Sequence, residues 1–88
     1  MRGVIMSVSR DLIKEWYAKG KEKGATHMII VCDTLEYEDF PVYVMPTESA
    51  REKAQAESIK PMQRVMEVYS LSLPVLDQYR EARAFHYD

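Results

Sequence analysis

Met28-Ile29-Ile30-Val31-Cys32 is an apolar run without a polar interruption, and it limits the fold more than any other stretch of the chain. Apolar side chains at every position, rather than at every second one, describe a strand covered on both faces. Such a strand needs a layer of structure on either side. The run is too short to cross a membrane as a helix. Thr26 to Cys32 is therefore expected as a central strand, and Asp33 to Asp39 as an acidic, aromatic connection. Phe40 to Met45 returns as a second strand, with Phe40, Val42 and Val44 on one face and Pro41, Tyr43 and Met45 on the other. Pro41 has no N–H to give a ladder, which places that strand at a sheet edge.

The flanking segments read as the covering layers. Ser9 suits an N-cap, Asp11 falls in the first turn, and Leu12, Ile13, Trp16 and Tyr17 share one helical face. Gly24 stands where a left-handed C-cap is expected, giving a helix over 9–23, with Gly20 as the alternative stop. Thr47 is expected to cap a second helix over 47–58, whose small apolar contacts are Ala50, Ala54 and Ala56. Ser58-Ile59-Lys60-Pro61 ends it. Residues 62–71 read as a third strand, with Val65, Glu67, Tyr69 and Leu71 alternating against Arg64, Met66, Val68 and Ser70, and Glu67 at a wet edge. A helix over 62–70 competes, because Met, Gln, Arg and Glu all favour one. Pro74 fits the first turn of a last helix with Val75, Leu76, Tyr79, Ala82 and His86 inward. The expected fold is α+β, in the order α-β-β-α-β-α, with a three-stranded sheet packed by helices. One domain spans 9–88 behind a flexible lead-in over 1–8, and either Met1 or Met6 suits a start.

Size and charge narrow the function classes. A chain of 88 residues is a single small domain, and domains of this size often depend on a disulfide, a metal or self-association. Cys32 is the only cysteine, so an internal disulfide is excluded, and its apolar setting suggests a reduced thiol in the cytoplasm. The first segment, Met1 to Met6, lacks the apolar core of a signal peptide. Residues 25–50 carry five acidic side chains and no Lys or Arg, whereas residues 1–24 carry six basic and three acidic ones. An electronegative middle beside a basic first helix argues against a general nucleic-acid binder, which needs a coherent basic face. It suits self-association or a basic partner, and a homo-oligomer is expected.

Two constellations stand out as binding candidates. Glu36, Tyr37, Glu38, Asp39, Phe40 and Tyr43 mix acids with aromatics in and after the first connection, the composition of an interface that anchors on rings and pairs Lys or Arg. A solvated loop with capping aspartates is the plainer reading, and an EF-hand pattern is lacking. At the other end of the chain, Arg80 and Arg83 are spaced one helical turn apart with His86 another turn on. That row suits a phosphate or carboxylate, unless the arginines pair with Asp77, Glu81 or the acidic loop. His27, Cys32 and His86 have no zinc-like spacing, and His27 and Cys32 point to opposite faces of one strand. No metal or cofactor is expected. GxSxG, HExxH, CxxC and phosphate-loop patterns are all missing from the sequence.

Gly24 to Thr34, Asp39 to Val44, Met62 to Tyr69 and Arg83-Ala84-Phe85-His86-Tyr87 together resemble a group of small accessory proteins of tailed phages and prophages, over about residues 9 to 88. The resemblance brings no catalytic residues with it. What it implies is a short product made in the bacterial cytoplasm that acts by binding, as an inhibitor of a host or defence protein or as a sponge for a nucleotide signal. The leading expectation is a non-enzymatic inhibitor of a bacterial protein that uses the acidic-aromatic loop. An oligomeric nucleotide sponge, with Arg80, Arg83 or Arg64 on phosphate, is the second. An acid–base or metal-dependent enzyme built on Asp33 and Asp39 is the third.

Overall fold

A computed structural model describes residues 9–81 and 83–88. The expected lead-in over 1–8 and the inward position of Ala82 fall outside the described residues. The order is α1 (Arg10–Lys23), β1 (His27–Asp33), β2 (Glu38–Val44), α2 (Ala50–Ser58), β3 (Gln63–Ser70) and α3 (Val75–Tyr79). The sheet order is β2-β1-β3, with both pairings antiparallel. The α+β expectation and its order hold. Within the expected 62–71 strand, Gln63–Ser70 is strand rather than helix, because pairing along β1 outweighs the helix preference of single residues. Pro41 lies on edge strand β2 opposite Ile30, as its missing N–H requires.

β1 alternates into two cores. Met28 and Ile30 pack with Ile13 and Ala25 of the α1 side and with Tyr69 and Leu71, joined by Trp16, Tyr17, Tyr43, Val75 and Tyr79. Ile29 and Val31 pack on the opposite face with Val44, Val68, Ala50 and Ala54. α1 and α3 thus cover one face and α2 the other. α1 forms as its caps dictate: Ser9 accepts from the Leu12 N–H at 3.2 Å, and Gly24 adopts φ 83° at the C-cap. The helix runs through Gly20 because that glycine is a packing position. A Cβ there would lie 2.8 Å from the Tyr43 ring and 2.7 Å from Leu71 Cδ1. Leu12, expected on the inner face, is exposed; Ile13, Trp16, Tyr17 and Gly20 supply that face instead.

Three details differ from the sequence expectation, each for a local reason. α2 begins after Ser49, whose hydroxyl accepts from Glu52 N–H at 3.2 Å. Thr47 instead sits in a turn closed by Glu48 N–H to Met45 C=O and by Met45 N–H to the Glu48 carboxylate. Ala56 is exposed, and Glu57 faces inward in its place, held by Gln63 and Lys60. β3 bulges at Met66: Ile30 opposes Glu67 but Val31 opposes Val65. The extra residue flips the alternation, so Val65 joins Val68 on the α2 face instead of Glu67 and Tyr69 on the other.

The last helix is far shorter than the sequence pattern suggested, and the reason lies on the outer edge of β3. Gln78 is fully buried and acts as a substitute peptide: its Oε1 accepts from Ser70 N–H at 2.7 Å and its Nε2 donates to Ser70 C=O at 2.8 Å. Beyond Arg80 the chain extends to bridge Phe85 with Val68 in parallel, through Val68 N–H to Ala84 C=O and His86 N–H to Val68 C=O. His86 is therefore not on a helix, and Arg80, Arg83 and His86 do not form a helical row. The outer edge of β3 is thus covered at Val68 and Ser70 by one short extended segment and one side chain.

Two substitutions test this architecture by thermal or denaturant unfolding. Gln78→Leu leaves Ser70 N–H without a partner and Ser70 C=O with only the Leu73 N–H at 3.4 Å, and is expected to cost about 1–3 kcal/mol. Gly20→Ala improves helix propensity yet is expected to destabilise by about 1–3 kcal/mol, because Tyr43 is tethered through its hydroxyl to Trp16 C=O at 2.7 Å and cannot swing clear. A neutral or stabilising Gly20→Ala would show that the ring yields.

Candidate functional site

The β1–β2 hairpin turns through residues 34–37, so Glu38 and Asp39, expected within the connection, belong to β2. Asp33 organises the turn. Its Oδ1 accepts from Leu35 N–H at 2.9 Å and from Glu36 N–H at 3.4 Å, and its C=O accepts from Tyr37 N–H at 2.6 Å. Tyr37 closes the turn with φ 57°, a left-handed position usually given to glycine. The neighbouring α2–β3 turn contains the only other non-glycine residue with positive φ among the described residues, Met62 at φ 64°. Thr34 N–H donates to Met62 C=O at 2.9 Å and ties the two turns together.

This end of the sheet presents large apolar side chains to solvent: Leu35 is 69% exposed, Tyr37 71%, Ile59 79% and Met62 63%. Glu36 and Glu38 are exposed beside them. Exposed large apolar groups and acids, on two turns joined by a backbone hydrogen bond at one end of a sheet, form a surface suited to recognition. Leu35, Ile59 and Met62 were not singled out from the sequence. Their signal was apolar residues inside segments otherwise marked as turns.

The remaining candidates from that stretch divide between the two faces of the sheet. Phe40 shares the α2 face with Val42 and Val44 and is partly exposed. Asp39 pairs with Cys32 across the strands on the α1 face. Tyr43 lies in the α1 core with its hydroxyl committed to Trp16 and with Lys23 over its ring at 5.7 Å. The acidic-aromatic stretch is thus a tip, Leu35 to Glu38, continued by a strand whose side chains diverge.

The α1 face also carries half-buried titratable groups. Burial, then the Asp39 carboxylate, push the Cys32 thiol up. Burial raises Asp39 above the usual carboxylate range. Burial likewise raises Glu67, with the charges of Glu81 and Asp39 adding to it, against hydrogen bonds from Tyr69 and the Ala84 N–H. Tyr69 donates to Glu67 Oε1 at 2.9 Å, and burial holds its phenol well above its ordinary value. Among the described residues, no three His, Cys, Asp or Glu side chains gather as a metal site.

The C-terminal candidates occupy a separate region. His86 Nε2 meets the Glu81 carboxylate at 2.9 Å, and Arg83 lies over the Phe85 ring at 5.9 Å. Arg80 and Arg83 form no ion pair among the described residues, so the expected pairing with Asp77, Glu81 or the acidic loop is not made. Phe85, His86, Tyr87 and Asp88, together with Leu73 and Arg51 of α2, line a cleft of about 240 Å³. Arg51 stacks over the Tyr87 ring at 4.3 Å. Nothing near Arg51 in the sequence marks it, since only the fold brings α2 to the chain end. His27, from β1, holds that end through Nε2 to Asp88 C=O at 2.9 Å. No helix among the described residues is long and apolar enough to cross a membrane. Compared with protein-family models, curated proteins and solved structures, the chain gives no match.

Glu67 gives the sheet a testable pH dependence. A carboxyl group whose folded pKa is raised binds more protons folded than unfolded, so its contribution falls as pH rises from the ordinary carboxyl range to the raised value. Glu67→Gln, which mimics the protonated acid, is expected to melt close to wild type at about pH 4 and above it at about pH 7. An equal deficit at both pH values would assign Glu67 a purely geometric role.

Proposed function

We propose that this chain is a non-enzymatic accessory protein of the phage type that works in the bacterial cytoplasm by binding and inhibiting a bacterial protein. The observation that carries this reading is the sheet tip, where the β1–β2 turn with exposed Leu35, Glu36 and Tyr37 is tied through Thr34 N–H and Met62 C=O to the α2–β3 turn with exposed Ile59 and Met62, and Glu38 follows at the start of β2. Two left-handed non-glycine positions lie in these turns, each worth about 1–2 kcal/mol of backbone strain. Strain of this kind is tolerated where side-chain identity matters more than backbone ease.

The partner surface is an apolar recess bordered by Lys or Arg. The rings and aliphatic groups provide the buried anchors, while Glu36 and Glu38 steer the approach. Strand addition contributes less, because β2, the edge leading away from the tip, has Pro41 at its middle. The carboxylates that an acid–base enzyme would use have other tasks: Asp33 caps the turn and Asp39 lies against Cys32. This division of labour favours a binding protein.

Tyr37→Gly separates binding from stability. It removes the ring and relieves the left-handed backbone, so the variant is expected to be at least as stable as wild type, by up to about 1–2 kcal/mol. Capture of the bacterial partner seen with wild-type protein is expected to weaken about tenfold or more. Replacing Glu36 and Glu38 together with Ala is expected to flatten the salt dependence of association. Unchanged affinity in both variants would remove the tip from the interface.

A further inference from the structure

The C-terminal region holds an ordered stack that the proposed inhibitor role does not use. Arg83 lies over Phe85 at 5.9 Å, Phe85 stacks on Tyr87 with centroids 6.3 Å apart and planes 25° apart, and Arg51 lies over Tyr87 at 4.3 Å. Two guanidinium groups thus bracket an aromatic pair. Among the described residues neither has a carboxylate partner, although Glu52 and Glu81 are close in sequence.

Arg51 is also placed against its local electrostatics. It occupies the first turn of α2, where the helix dipole favours negative charge. An anion in the adjoining cleft would meet the Arg51 guanidinium. The cleft of about 240 Å³ at this point is lined by Leu73, Phe85 and Tyr87 for a ring and by Arg51 for an anionic group, while His86, also in its lining, is engaged with the Glu81 carboxylate. Its volume falls below the ~300–1,000 Å³ of drug-sized sites, so the ligand is small. Asp88 also lines the cleft, and its carboxylate opposes an anion.

We propose that this cleft binds a small planar aromatic anion, with the ring against Leu73 and the edges of Phe85 and Tyr87 and the phosphate or carboxylate on Arg51. Aromatic side chains beside an Arg suit a planar ring that carries a negative group, whether a nucleotide base or an aromatic carboxylic acid. The site is distinct from the sheet tip.

The test is titration of the nitrogen-labelled full chain, followed by amide shifts. Probes are the common ribonucleoside monophosphates, benzoate, inorganic phosphate and a neutral nucleoside. Saturating shifts at Arg51, Leu73, Phe85, His86 and Tyr87 are expected with an aromatic anion. Inorganic phosphate and the nucleoside are expected to bind about tenfold more weakly or worse. The source is a nucleotide if the monophosphates saturate these residues, and an aromatic acid if benzoate does. Arg51→Gln is expected to weaken binding about tenfold. Asp88→Asn, which leaves both arginines in place, is expected to tighten it and keeps the test open if Arg51→Gln disturbs α2. Saturation by neither series, equal binding of phosphate alone, or indifference to both substitutions would overturn the proposal.

Discussion

β1 is hydrogen-bonded along both edges and buried on both faces, so its backbone organises the sheet while its side chains organise the helices. Met28 and Ile30 require α1 and α3 above them, and Ile29 and Val31 require α2 below. In a domain this small, neither core would be sufficient alone. A strand shared by two cores makes each helix layer depend on the same seven residues. This explains why a mid-helix glycine is retained: α1 must approach Tyr43 and Leu71 more closely than a Cβ allows.

The two outer strands solve their exposed edges differently. β2 carries Pro41, which removes a donor from its middle. β3 has its backbone groups capped by Gln78 at Ser70 and by the extended 84–86 segment at Val68. Sealing β3 this way truncates α3, because the chain must leave the helix by Arg80 in order to reach Val68. The same geometry brings Phe85 and Tyr87 beside Arg51. Edge protection and the C-terminal cleft are therefore products of one path of the chain.

The two candidate surfaces differ in what supports them. The tip rests on exposed apolar groups and strained turns joined by a backbone hydrogen bond between Thr34 and Met62. The cleft rests on cation–aromatic stacking that joins Arg51 of α2 to Tyr87, far apart in sequence. They share no residues, so one can be altered without touching the other.

Much of the architecture was legible in the sequence because it follows from local rules. An unbroken apolar run describes a doubly covered strand, Ser9 and Gly24 bracket a helix, and Pro41 marks an edge. The acidic-aromatic tip was legible in composition, although its working membership was not: Tyr43 turns inward, while Ile59 and Met62 arrive from a turn more than twenty residues away. Tertiary structure decided the rest. The bulge at Met66 moved Val65 across the sheet, the open edge of β3 drew the chain out of a helix, and His86 left the arginine row that the spacing implied. Arg51 lines the C-terminal cleft only because α2 packs beside residues 85–88. Periodicity and capping record what a segment does by itself; hydrogen bonds left unmade at a sheet edge can be satisfied only by residues that the fold brings from elsewhere.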